Sequence, residues 1–597
     1  MDLSGKEHGM KFLLVAVNAK YIHSNPAVYS LYAYSKEKYA QSMEIVEFTI
    51  NQKTEDILAQ LYERKPDAIG FSCYIWNWEM VSALLDDLPK VLPETDIWLG
   101  GPQVSFNAPQ ILERFSCIKG IMIGEGEVTF SELLERYVHH DTEDFSEVAG
   151  LCLRSGHTAE RGTTDLGRLP FIYNDMELFS NRILYYESSR GCPYRCSYCL
   201  SAIDKKVRLR DMDLVKKELD FFLANKVRQV KFVDRTFNCV HEHAMAVWRY
   251  LYEHDNGITN FHFEISADII NDEELEMLGR LRPGQVQLEI GVQSVNKETL
   301  AAINRKMDLD RLEYVVSAIR KNHNIHQHLD LIAGLPYEDF QSFTNSFDRV
   351  YAMKPDQLQL GFLKVLSGAP IGQHTKEYGI AFTEQPPYEV LYTKWLTYED
   401  VIRLKKVEEM VEQYYNSGQF THVLAFLEPV FTSPFAMFEK LSLFYEEKGY
   451  YTNHPSRAYR YEVLLEFADK YDSTNKEIYK ELLTYDLYLR ENMKSRPLFC
   501  RSLTNDAYRT FRHDFYRQEE ITRHFLPGLK EYDGRQLSGM THLEPFSYPV
   551  WDMGELTVRK KKQKQMIKKP EDTYILFDYS IRDPLTKEAS VHIITGQ

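Results

Sequence analysis

The sequence predicts an α/β protein in three parts: a doubly wound parallel-sheet domain, a partial (β/α)6 barrel, and a mostly helical C-terminal domain. Three observations predict it. Five short apolar runs alternate with amphipathic helical stretches up to about residue 140. Six more strand-like runs follow between about residues 183 and 363, and from about Pro370 the alternation gives way to helical spacing. Alternating strands and helices build parallel sheets whose ligands sit at the carboxyl ends of the strands. The expected domains are residues 10–140, a linker over 141–180, a barrel over 181–400 and a cap over 401–597.

The first-domain strands are expected at Lys11–Val17, Glu44–Ile50, Asp67–Ser72, Asp96–Leu99 and Gly120–Ile123. Their apolar character on both faces suits a buried parallel, Rossmann-like sheet. The strand-end loops carry small residues: Ser72, then Gly100-Gly101-Pro102, then Gly124-Glu125-Gly126-Glu127. Glycine there lets the backbone approach a ligand closely. A short strand is expected at Ala149–Leu153.

Ile183–Glu187 begins the TIM-type barrel, followed by Gln229–Val233, Phe261–Asp268, Val286–Ser294, His328–Pro336 and Gln357–Leu363. Six strands fall short of the eight that close a TIM barrel, so an open barrel is expected. Whether Glu289 points inward is not settled by the pattern. Beyond it, helices are expected at Val401–Tyr415, Phe435–Tyr445 and Lys476–Met493. A closing β-hairpin is expected from Tyr574–Tyr579 and Ala589–Thr595, and the run Arg559-Lys560-Lys561-Lys562-Gln563-Lys564 reads as a solvated loop.

The chain has 597 residues and a formal net charge of −16, which argues against bulk nucleic-acid binding. Of its 8 cysteines, five are scattered, which is no disulfide framework. The first residues lack the apolar core of a signal peptide, and no apolar run reaches the roughly 20 residues that span a bilayer. A cytoplasmic protein with reduced thiols is expected.

The first barrel strand runs into Arg190-Gly191-Cys192-Pro193-Tyr194-Arg195-Cys196-Ser197-Tyr198-Cys199, a Cys-x3-Cys-x2-Cys loop. Three close thiolates suit a metal centre with one open position, whereas a closed zinc site needs a fourth ligand. A zinc knuckle or three unrelated cysteines are the alternatives. With Tyr198 as its aromatic residue, the loop resembles the signature of the radical S-adenosylmethionine (SAM) enzymes. Glu289–Ser294, Asp330–Pro336 and Leu366-Ser367-Gly368-Ala369-Pro370 resemble the branch shared by coproporphyrinogen-oxidase-like and cobalamin-binding members. A serine followed one βα unit later by Gly-Gly resembles the cobalamin-binding domain. The usual Asp-x-His-x-x-Gly loop is reduced here to Tyr21-Ile22-His23-Ser24-Asn25-Pro26, which keeps only the His. The whole resembles a cobalamin-binding radical SAM subfamily with an uncharacterised C-terminal domain.

The resemblance implies a [4Fe-4S] cluster on Cys192, Cys196 and Cys199, with SAM bound at the open iron and contacted by Tyr198, Asp234, Glu264 and Gln293. It implies cobalamin held by His23, Asn25, Ser72, Gly100, Gly101, Pro102, Gly124 and Gly126. For His23 a loop hydrogen-bonding role is favoured over a cobalt-facing one. The implied activity is methylation of an unactivated carbon in a small-molecule or peptide substrate, with an electron donor such as flavodoxin or ferredoxin. The alternatives are radical oxidation, cyclisation or rearrangement without methyl transfer, a plain radical SAM oxidoreductase without cobalamin, and a cobalamin sensor or carrier with a structural cluster.

Overall fold

The computed structural model describes residues 9–142, 144–493, 495–553 and 566–594. The first sheet contains β1 (Phe12–Asn18), β2 (Met43–Thr49), β3 (Ala68–Ser72), β4 (Asp96–Gly100), β5 (Ile118–Met122), β6 (Leu151–Leu153) and β7 (Gly156–His157). Its order is β2-β1-β3-β4-β5-β6-β7. The first five are parallel, and β6 and β7 are antiparallel additions. On β1, Leu13, Val15 and Val17 enter one core, and Phe12, Leu14 and Ala16 enter the other. Burial on both faces explains the unbroken apolar run. The strand order reverses between β1 and β3, the crevice where such sheets bind ligands.

The second sheet begins with β8 (Leu184–Tyr186). A short ribbon follows, in which β9 (Ser189–Arg190) pairs antiparallel with β10 (Arg208–Leu209). Then come β11 (Gln229–Phe232), β12 (Asn260–Ile265), β13 (Val286–Gln293), β14 (Ile325–Ala333) and β15 (Gln357–Phe362), giving the order β8-β11-β12-β13-β14-β15. The pairs among β8, β11, β12 and β13 are parallel. On β13, Val286, Leu288, Ile290 and Val292 are buried, and Gln287, Glu289, Gly291 and Gln293 share the other face. Glu289 therefore lies on the polar face, with Lys231, His262 and Glu264. The small pair β16 (Ala381–Phe382) and β17 (Val390–Tyr392) follows.

The chain divides into two compact units. The first comprises Met1–Ile325, Ile332–Asp339 and Phe362–Thr397; the second comprises His326–Leu331, Phe340–Gly361 and Tyr398–Gln597. The second unit is mostly helical. Helix Tyr398–Met410 runs into a π-helical turn, Val411–Asn416, and helices Pro434–Glu447, Tyr459–Tyr471 and Lys476–Arg490 follow. Its C-terminal sheet has three strands: β18 (Thr541–Phe546), β19 (Thr573–Arg582) and β20 (Ala589–Ile594). The expected hairpin is β19–β20. The extra strand β18 carries Pro545, which argues against a strand in sequence but is tolerated here because β18 is an edge. The basic run 559–564 lies outside the described residues. Among the described residues, no helix is long and apolar enough to cross a membrane.

Candidate functional site

The cysteine loop is closed at its base by the β9–β10 ladder, which pairs Arg190 with Arg208. Gly191 has φ +95°, and a Cβ there would stand 2.3 Å from the Lys206 carbonyl oxygen. Only glycine permits both. The Cys192 N–H donates to the Asp204 carbonyl at 2.9 Å, Ser197 N–H to Ile303 O at 2.9 Å, and Ile371 N–H to Ser197 O at 2.8 Å. The loop is thus anchored at its start and middle. Cys192 and Cys196 are buried, Cys199 is half-buried, and none is in a disulfide.

The sulfurs face polar neighbours. Thr236 Oγ1 lies 3.6 Å from Cys192 Sγ, and Arg305 Nη1 lies 3.8 Å from Cys196 Sγ and 3.3 Å from the Tyr198 hydroxyl. Among the described residues no three His, Cys, Asp or Glu side chains converge on a point that would hold a single ion. A cluster differs in this respect: its thiolates bind separate irons at separate corners. The three unpaired cysteines, one of them beside a cation, fit that demand.

A polar cradle adjoins them. Arg305 donates to the Gly291 carbonyl, and its Nε has no hydrogen-bond partner although it is buried. Gln293, at φ +70°, likewise has a buried Oε1 without a partner. A Cβ on Gly291 would run into the Gln293 amide and stand 3.5 Å from Arg305 Nη2. Gly291, Gln293, Arg305, Tyr198 and Cys196 therefore meet at one place. Arg305 makes no ion pair with a carboxylate among the described residues. Buried polar atoms left without partners are uncommon and call for a ligand or water, so this cradle suits a polar ligand with an anionic end. Sequence reading missed Arg305 because it follows a short helix, Lys297–Ala302, rather than ending a strand.

The other residues expected to contact SAM lie differently. Asp234 is only 1% exposed, and its oxygens accept from Ser188 N at 3.0 Å, Ser188 Oγ at 2.7 Å and Ser189 Oγ at 2.5 Å. It is turned into the wall behind the loop rather than toward the mouth. Ser188 Oγ also meets His243 Nε2 at 2.8 Å. Burial raises the Asp234 carboxyl to about 6 and lowers the His243 imidazole to about 4. Glu264 lies beside Glu289 in the register and 3.8 Å from Lys231 Nζ. Glu289 receives Lys231 at 3.1 Å and His262 Nε2 at 3.0 Å. Burial opposes its ionisation, but these two partners hold it down to about 2.

At the first-domain crevice, Asn25 caps helix Pro26–Tyr39 and donates to Ser72 Oγ at 3.2 Å, joining the loops after β1 and β3. Gly101 has φ +105°, and a Cβ there would stand 2.5 Å from Cys73 O. Its glycine serves backbone packing against the chain itself. Gly100 faces Met122, Pro102 opens helix Pro102–Ser105, and Gly126 packs under Leu31. Gly124, at φ +77°, faces open space. Two exposed aromatics, Trp76 and Phe106, stand at this edge, and Trp76 is stacked on Tyr74 at 4.3 Å. An open glycine loop and exposed rings at the strand ends of one sheet fit a broad, partly apolar ligand. His23 Nδ1 lies 2.6 Å from the Tyr185 hydroxyl of β8. That contact ties the loop to the barrel, and burial, with Lys20 and Lys231 nearby, lowers the pKa of the ring below its ordinary value.

A three-thiol loop following the first strand of a six-stranded sheet is the arrangement of a radical SAM domain. The chain matches, in order along its length, the family models of a cobalamin-binding radical SAM architecture. The family model for the B12 binding domain matches residues 13–134, the radical SAM superfamily matches 186–350, and the protein of unknown function DUF4080 matches 376–577. Among curated proteins, the cobalamin-dependent radical SAM methyltransferase TokK of Streptomyces tokunonensis is 26% identical over 345 residues, 53% of this chain and 50% of that protein. The anaerobic magnesium-protoporphyrin IX monomethyl ester cyclase of Rubrivivax gelatinosus is 22% identical over 343 residues, 52% of this chain and 59% of that one. The chain thus spans about half the length of the curated relatives it matches. The solved structure of the cobalamin-dependent SAM radical enzyme OxsB, with aqua-cobalamin and SAM bound, superposes with a TM-score of 0.55 at 15% identity. It covers 80% of this chain and 79% of that chain, a likeness of fold.

Proposed function

We propose that the protein is a cobalamin-dependent radical SAM enzyme that methylates an unactivated carbon of a small-molecule or peptide substrate. The observation that carries the reading is the cradle of Gly291, Gln293 and Arg305 beside Cys196 and Tyr198, whose buried polar atoms lack partners. When bound, the cluster, SAM and cobalamin supply reductive cleavage of a sulfur–carbon bond and a transferable methyl group. The chain holds and orients them. Cys192, Cys196 and Cys199 provide three thiolates. Arg305 pairs with the SAM carboxylate, Gln293 Oε1 accepts a hydrogen bond from SAM, and Tyr198 flanks it. Asn25, Ser72, Gly100, Gly101, Pro102, Gly124 and Gly126 form the corrinoid edge, with His23 at the joint to the barrel. Asp234 braces the cysteine loop, and Glu264, on the polar face of the sheet beside Glu289 and Lys231, is the further candidate contact to SAM. A low-potential donor such as flavodoxin or ferredoxin supplies electrons.

The test is anaerobic reconstitution with iron, sulfide and hydroxocobalamin, followed by dithionite and SAM. One four-iron cluster per chain, the cobalamin absorption spectrum and release of 5′-deoxyadenosine are expected. With a substrate present, S-adenosylhomocysteine accompanies methyl transfer. Its absence during turnover replaces methylation with the oxidation or cyclisation reading, and absence of SAM cleavage overturns both.

A further inference from the structure

Two arginines of the β9–β10 ribbon face two glutamates of the first domain. Arg190 Nη2 lies 2.6 Å from Glu127 Oε1, its Nε lies 2.8 Å from Glu187 Oε2, and its Nη1 lies 3.5 Å from Glu125 Oε2. Arg208 pairs with Glu125 and, at 2.9 Å, with Asp204. Arg190 and Arg208 are cross-strand partners. Like charges directly opposite repel, so this ribbon depends on the acids between and around the guanidiniums. The side chain of Glu127 is only 5% exposed, and Ser30 Oγ donates to it at 2.9 Å. Glu125 also accepts from Thr164 N at 2.6 Å. The same four-residue stretch, Gly124–Glu127, contains the glycine that faces open space. Arg190 stands two residues before Cys192. Whatever settles against Gly124 therefore presses on a loop whose side chains grip the base of the cysteine loop.

We propose that Arg190 is a positioning residue that ties the cysteine loop to the Gly124–Glu127 loop, so that filling the corrinoid site and filling the cluster site strengthen each other. The proposal rests on the functional reading above, which assigns those two sites. Linkage makes the effect reciprocal: the factor by which the cluster tightens cobalamin equals the factor by which cobalamin tightens the cluster, commonly about 5- to 150-fold between coupled sites.

The experiment measures hydroxocobalamin affinity anaerobically, by absorption, for the full chain with and without its reconstituted cluster. In the native chain the cluster-loaded form is expected to bind at least about 5-fold more tightly. In R190Q and in E127Q the ratio is expected to fall below about 2, and R190K is expected to restore part of it through the retained charge. Hydrogen exchange of residues 189–209 gives a second readout. Hydroxocobalamin is expected to slow it in the cluster-free native chain, and unchanged exchange overturns the proposal even where a variant fails to fold. A native ratio of one in a chain that binds hydroxocobalamin overturns the coupling and leaves the functional reading standing. No binding to either form overturns both.

Discussion

Arg305 brings a permanent charge into a pocket where burial opposes it, and Tyr198 and Cys196 are its neighbours. A charge-assisted hydrogen bond contributes about 1.5–3 kcal/mol. R305Q is therefore expected to weaken SAM binding about 10- to 100-fold with the iron content unchanged, measured by equilibrium binding to the reconstituted protein. Asp234 and His243, joined through Ser188, give a second residue-scale expectation. Both are buried, and burial favours the neutral form of each. His243, held at about 4 against an ordinary 6.5, contributes stability that is full above 6.5 and lost as pH falls toward 4. Asp234, held at about 6 against 3.8, contributes stability that is full below 3.8 and lost as pH rises through 6. Each amounts to about 3 kcal/mol, since one pKa unit is about 1.4 kcal/mol. The two oppose one another, so the native chain is expected to change little between pH 4 and 6. H243Q should gain stability on acidification over that range, and D234N should lose it; denaturant titration across the range distinguishes the two.

The β9–β10 ribbon turns a cysteine spacing into a shaped loop. Its requirement at Gly191 is strict, because the residue combines a left-handed φ with a carbonyl at its back. G191A is expected to fold, with strain of about 1–3 kcal/mol concentrated in the loop. It should retain less than half of the native iron after reconstitution, while far-ultraviolet dichroism stays unchanged. At this scale much was legible in the sequence. The alternation of β1 to β5 followed from burial on both faces, and Cys-x3-Cys-x2-Cys marked the loop. The roles of individual residues were less legible, because they depend on which way a strand-end side chain turns. Asp234 looks like a rim residue in sequence and turns into the wall, whereas Glu289 turns toward Lys231 and His262. Arg305 carries no local signal, since its partners Cys196 and Gly291 come from distant segments. The glycines at 101 and 126 read alike with Gly124, yet only Gly124 faces open space.

For the whole molecule, the division into two units does not follow the order of the chain. Helix Phe340–Ala352 belongs to the second unit, where Phe347 packs on Phe435 at 5.4 Å and Tyr351 on Phe438 at 5.9 Å between ring centroids. Phe343, Phe347 and Tyr351 are all buried. A chain ending at residue 397 loses the partners of these rings and exposes an apolar helix face. Such a truncation is expected to be recovered mainly as aggregate, and the full chain as a dispersed protein, as measured by light scattering after expression at matched levels. The same interleaving bears on synthesis. The aromatic face of Phe340–Ala352 leaves the ribosome before helix Pro434–Glu447 has been translated, and at about 5–20 residues per second that partner follows about 5–20 seconds later. During that interval a nascent chain holds a sticky helix with nothing native to cover it, so the sixth barrel strand and the helix before it are the part of the protein most in need of a chaperone.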